Sequence, residues 1–184
     1  MEILIALLLI FGIYVVSVNR QLLVVATLVA ALAFTVIWFN IFIKSKELLL
    51  FGLVLEISFL TMTTMTIVTH VLTYKRVSAD KIYGAICGYL LLGIIWTLVY
   101  ITIETAMPGS FQLGSATLKN YAYVNTHRFY FTDFMYYSFV TISTLGYGDI
   151  VPLSSPARLI SAMEAMLGQL YVAVLIARLV GLHI

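Results

Sequence analysis

Residues 141–149, Thr-Ile-Ser-Thr-Leu-Gly-Tyr-Gly-Asp, place the chemistry of this chain in its backbone rather than in reactive side chains. Gly146 and Gly148 bracket Tyr147, and glycine reaches backbone angles closed to residues that carry a Cβ. That freedom lets successive carbonyls point the same way. A row of carbonyl oxygens, repeated about a symmetry axis, can replace the water shell of a dehydrated potassium ion. The stretch follows a short apolar-aromatic segment and precedes a long apolar one. It reads as a loop that enters a membrane and returns, which is tolerated at membrane depth only when protein encloses it.

The elements that must hold such a loop are written in the composition. Of 184 residues, 62% are hydrophobic and only 10% charged, and the mean hydropathy is +1.08. These values describe an integral membrane protein. A lipid-spanning helix needs about 20 apolar residues, so the expected plan is all-α: about five spans and a re-entrant pore helix, with no room for a separate soluble domain. The formal net charge of +2 is scattered, which excludes a basic surface for nucleic acid. The single cysteine, Cys87, excludes an intramolecular disulfide.

Apolar runs fall at about 3–18, 21–43, 48–73, 82–106 and 157–182. The run from Ile3 is preceded only by Glu2, where a signal peptide would carry lysine or arginine, so it is expected to be a retained span. Asn19 and Arg20 leave only a tight junction between the first two runs, and Lys44–Glu47 and Tyr74–Lys81 form the next two connections. A longer polar stretch follows Pro108 and Gly109. Asp133 is a plausible N-cap for a short pore helix over about 134–143, because its carboxylate can accept free first-turn amides. Pro152 and Pro156 break the chain before the last span. Counting positive charge on either side of this plan gives five against five, so the charge rule sets no orientation.

The segment from Tyr136 to Pro152 resembles the potassium-channel pore, whose signature is Thr-Val-Gly-Tyr-Gly; here Leu145 stands in the place of the valine. Arg158 and Gly168 also stand at spacings after Asp149 that many potassium channels share. With the run from Gly168 to Gly181 they make residues 82–182 similar to small bacterial channels of the two-helix, ion-transport type. The resemblance implies a pore domain over 82–184, preceded by three helices over 1–81 that lack the repeated arginines of a voltage sensor. It implies that Thr144, Leu145, Gly146 and Tyr147 present carbonyls to successive K⁺ sites, with Gly148 completing the filter and the Thr144 hydroxyl closing the innermost site. Tyr136, Tyr137 and Tyr147 would form an aromatic cuff, with Asp149 a candidate acceptor for the Tyr137 phenol. Gln169, Val172 and Ile176 would face a cavity, and Gly168 is either a gating hinge or a site of close helix packing.

One loop per chain cannot enclose an ion. Four copies about an axis can, so the expected assembly is a C4 homotetramer. Ionisable groups at membrane depth are costly and default to pairing or function. Glu164 is expected to hold a hydrogen bond to a neighbouring helix rather than to face the cavity, Glu104 and Arg158 stand where they could pair, and Glu56 has no assigned partner. Thr61, Thr63, Thr64, Thr66 and Thr69 are expected to bond back to their own helix. No His/Glu metal spacing, Ser/His/Asp arrangement or phosphate loop appears, so an enzyme is not expected. The sequence thus suggests a multi-pass plasma-membrane channel that conducts K⁺ passively, needs no cofactor beyond the permeant ion, and contacts lipid and its own copies. The compact plan suggests a prokaryotic cell membrane. The alternatives are a weakly selective cation channel and a non-conducting sensor or regulatory subunit with the same pore fold.

Overall fold

The computed structural model describes residues 20–73, 79–113, 116–117 and 126–181. Four helices among them are long and apolar enough to cross a membrane, over Leu23–Ile43, Lys46–Leu72, Asp80–Ala106 and Ser155–Arg178. The span expected over 3–18 lies outside the described residues. The chain divides at Ile95 and Trp96 into two compact units.

In the first unit, α1 (Arg20–Ile43) and α2 (Lys46–Thr73) form a hairpin. Lys44 turns the chain in the left-handed region at φ 51°. The next helix starts on Ser45, whose carbonyl takes the Leu49 amide at 3.1 Å. Ala26, Ala30 and Ala33 recur on one face of α1 and are all buried, and Gly52 of α2 sits against Val36 and Ile37. Small residues let helix backbones approach where lipid removes the hydrophobic drive between helices. The outward residues are large and apolar, such as Leu28, Phe39, Phe42 and Met65. The hydroxyls of Thr61, Thr63, Thr66 and Thr69 bond to carbonyls one turn back in α2, as the sequence suggests, but the expected bond at Thr64 is not made, and its buried hydroxyl has no partner.

The helix α3 (Ala79–Ala106) ends just before Pro108 and runs into a three-stranded antiparallel sheet. Its strands are β1 (Phe111–Leu113), β2 (Ala116–Thr117) and β3 (Ile150–Pro152), with β1 central. Leu113 pairs with Ile150 and Phe111 with Pro152. The start of the sheet is held by Glu104, whose carboxylate accepts the Gly109 amide at 2.7 Å and the Phe111 amide at 3.2 Å. Glu104 does not pair with Arg158. It satisfies backbone amides freed by the turn at Gly109 (φ 90°), while the Arg158 Nε donates to the Pro152 carbonyl.

The helix α4, where the pore helix is expected, spans Thr126–Ile142, 17 residues, and so begins before Asp133. Asp133 is therefore not an N-cap. With helix already formed upstream, the next amides are bonded to carbonyls of the preceding turn and none is free for the carboxylate. Its Oδ2 is buried without a hydrogen-bond partner, and burial raises its pKa. The last helix, α5 (Ser155–Gly181), starts on Ser154, whose carbonyl accepts the Arg158 amide. Pro156 sits in its first turn, where the missing N–H costs nothing.

The second unit closes on an aromatic core. Tyr100, Phe111, Phe134 and Tyr137 are buried together with Ile150 and Ala157. The Tyr100 and Tyr137 rings lie 5.0 Å apart edge to face, and Phe111 meets Phe134 at 4.9 Å in the same manner. Such pairs add about 0.5–1.5 kcal/mol beyond their buried area. The core thereby fixes α4 between the end of α3, the sheet and the start of α5.

Candidate pore loop

The loop hangs from the last carbonyls of α4. The Thr144 amide donates to the Thr141 carbonyl at 2.9 Å, and the Val140 carbonyl accepts Leu145 at 2.9 Å and Gly146 at 3.3 Å. No described peptide bond is cis. In a planar trans peptide the carbonyl of one residue points opposite to the amide of the next. The carbonyls of Thr144 and Leu145 are therefore directed away from α4. Positive φ recurs at every second residue, at Thr144 (59°), Gly146 (60°) and Gly148 (78°). The two glycines meet these angles without strain. The third is a threonine, which their pattern did not reveal, and a β-branched residue there is uncommon. Its hydroxyl donates to the Ser143 carbonyl at 2.6 Å.

Leu145 and Tyr147 are exposed in the single chain, at 56% and 67%. Neither glycine of the loop has an atom within 4 Å of where a Cβ would stand. The open side of the loop faces away from its own protomer.

Tyr136 stacks on Tyr147 with ring centroids 6.4 Å apart and planes 8° from parallel. Its phenol is hydrogen-bonded to Asp149, which raises its pKa. Tyr137 does not take that bond. Consecutive helical residues point about 100° apart, so Tyr137 turns into the core, where its hydroxyl shares a 2.7 Å bond with Ser161. The expected pairing of Tyr137 with Asp149 is replaced by Tyr136 with Asp149, and Tyr136 stacks on Tyr147 without Tyr137.

Three contacts at successive turns of α5 hold it against α4. The first is Ser161 to Tyr137. At the second, Glu164 is fully buried and accepts from Ser138 on one carboxylate oxygen and from Tyr100 on the other. At the third, a Cβ on Gly168 would stand 2.2 Å from the Ile142 carbonyl oxygen, so this glycine is a site of close packing. Gln169 then donates through Nε2 to the Thr144 hydroxyl at 3.1 Å. Val172 and Ile176 continue that side of α5 and are exposed. Glu164 thus holds a hydrogen bond to neighbouring helices. Its partners Ser138 and Tyr100 were not singled out in the sequence, although Ser161, Glu164 and Gly168 mark a polar and small stripe at helical spacing.

Comparison with known proteins covers the segment that contains this loop. Residues 111–182 match a family model described as "Ion channel". A two-pore potassium channel, number 4, of Arabidopsis thaliana is 32% identical over 92 residues, which are 50% of this chain and 30% of that relative. No solved structure matches. In a protein with four membrane-length helices among its described residues, residues 111–182 match an ion-channel family model and resemble the pore of two-transmembrane potassium channels.

Proposed function

We propose that the chain is a potassium-selective channel that conducts K⁺ passively through a homotetrameric pore in the plasma membrane. The observation that carries this reading is the backbone of 144–148. Its φ is positive at Thr144, Gly146 and Gly148, the amides of Thr144, Leu145 and Gly146 are tied back to Thr141 and Val140, and the carbonyls of Thr144 and Leu145 face away from α4. Thr144, Leu145, Gly146 and Tyr147 would offer carbonyl oxygens to dehydrated ions, and four copies would close each ring. Gly148 and Asp149 would end the filter, with Tyr136 braced between Tyr147 and Asp149. The Thr144 hydroxyl, in reach of Gln169, would mark the inner end of the filter, and Val172 and Ile176 would line the cavity beyond it.

The test is flux of the purified full chain in liposomes under opposed K⁺ and Na⁺ gradients. The expected result is K⁺ flux far above Na⁺ flux, blocked by ions that compete for the filter. Equal permeability to the two ions would replace the reading with a weakly selective cation channel. Absence of single-channel currents would replace it with a non-conducting subunit.

A further inference from the structure

We infer that Glu164 is a positioning residue for the proposed filter: by holding Ser138 of α4 and Tyr100 of α3 at once, it sets the depth and rotation of the pore helix from which the filter backbone hangs. This rests on the reading of 144–148 as a potassium filter. The connection runs through named atoms. Ser138 and Tyr100 donate to opposite oxygens of the Glu164 carboxylate. Two residues beyond Ser138, the Val140 carbonyl takes the amides of Leu145 and Gly146. A displacement of α4 therefore moves the carbonyls of the loop by the same amount.

The side chain is suited to that task and to no other in reach. Glu164 is fully buried, as is Ser138, so neither meets a permeant ion or bulk water in the protomer. Only a carboxylate accepts two hydroxyl donors, one per oxygen, with no donor of its own to satisfy. Glutamine in the same volume has one acceptor and one donor group, so one of the two hydroxyls must reverse or lose its bond. The contacts on either side, Tyr137 with Ser161 and Gly168 against Ile142, resist translation of α5 along α4. Glu164 bonds α4 and α3 through the two oxygens of one side chain, beside the Tyr100–Tyr137 ring contact.

The experiment compares the full chain, Glu164→Gln, Ser138→Ala and the double variant in bilayers under a K⁺/Na⁺ gradient. Amide hydrogen exchange is followed at Leu145 and Gly146. The inference expects wild-type assembly size, a drop of about tenfold in the permeability ratio for each single variant, the size of one lost hydrogen bond, and little further loss in the double variant. Exchange at the two amides should rise in parallel. If the wild type is selective and both single variants keep its ratio and its exchange, Glu164 does not position the filter. If the wild type is not selective, the functional reading fails on its own. The exchange arm then still decides whether Glu164 fixes the loop, and unchanged exchange in Glu164→Gln overturns that. Should Glu164→Gln fail to assemble, Ser138→Ala carries both measurements by itself.

Discussion

The two units of this chain differ in what their buried hydrogen bonds join, although each buries polar atoms without a partner, among them Asp133 Oδ2 and Arg178 Nε in the second. In the second unit the bonds join one segment to another: Glu104 to the turn at Gly109, Tyr137 to Ser161, Glu164 to Ser138 and Tyr100. In the first, the threonine hydroxyls fold back onto their own helix, and Glu56 Oε2, Thr64 Oγ1 and Asn40 Oδ1 are buried without a hydrogen-bond partner. The α1–α2 contact rests instead on alanine and glycine. Small-residue packing holds helices together but tolerates rotation and slip. A bond from a side chain on one helix to a side chain on another fixes both, and the proposed filter, which would place carbonyls around an ion, needs that fixity.

The sharpest test of this contrast is Gly146→Ala. The site has open space around it, so the penalty is one of backbone alone: about 1–2 kcal/mol for a left-handed residue with a Cβ, repeated in every subunit of a proposed fourfold ring. Loss of selective K⁺ flux is expected, read from reversal potentials, with the assembly intact. Wild-type selectivity in this variant would mean that the loop is not the filter. Gly168→Ala tests the next level. Here a Cβ would meet a backbone oxygen at 2.2 Å, so α5 must move off α4. A loss of about 1–3 kcal/mol in stability is expected, as for overpacking elsewhere, seen as a lower melting temperature and reduced flux. A variant that melts higher while its open probability changes would instead mark Gly168 as a hinge.

Ala33→Leu is the matching intrusion in the first unit. Ala33 is fully buried on the face of α1 that carries Ala26 and Ala30. Overpacking should again cost about 1–3 kcal/mol, yet the K⁺/Na⁺ ratio should stay at its wild-type value. A changed ratio would show that the first unit also sets the geometry of the loop.

Much of the site could be read from the chain because it depends on local rules. Two glycines around Tyr147 announce positive φ, and both have it. The long apolar runs announce spans, and Pro156 marks the start of α5. What escaped depends on tertiary placement. Thr144 adopts a left-handed angle because its own amide is held by Thr141 and those of Leu145 and Gly146 by Val140, which no propensity of threonine suggests. Asp133 carries a cap signal that the continuing helix overrides. Tyr136 and Tyr137 are chemically alike, and only the helical rotation between them decides which one reaches Asp149. Glu164 announced itself as costly, but its partners lie 26 and 64 residues away.

The smallest effect, and the one that divides the units most directly, comes from the same substitution made in each. At Glu164 both oxygens are bonded, and Glu164→Gln should destabilise the protein by about 0.5–1.5 kcal/mol, the scale of one lost hydrogen bond. At Glu56 one oxygen has no partner, although the residue is only 4% exposed. An ionised carboxylate at membrane depth is costly, and the neutral amide fills nearly the same volume. Glu56→Gln should therefore leave stability unchanged or raise it by up to about 1 kcal/mol, the scale of relieving one poorly satisfied polar group. Thermal unfolding of the two variants in the same detergent measures the difference in sign. A loss at Glu56 as large as that at Glu164 would mean that the first unit holds a carboxylate-centred bond of the same kind, and that the two units do not differ in how they use buried charge.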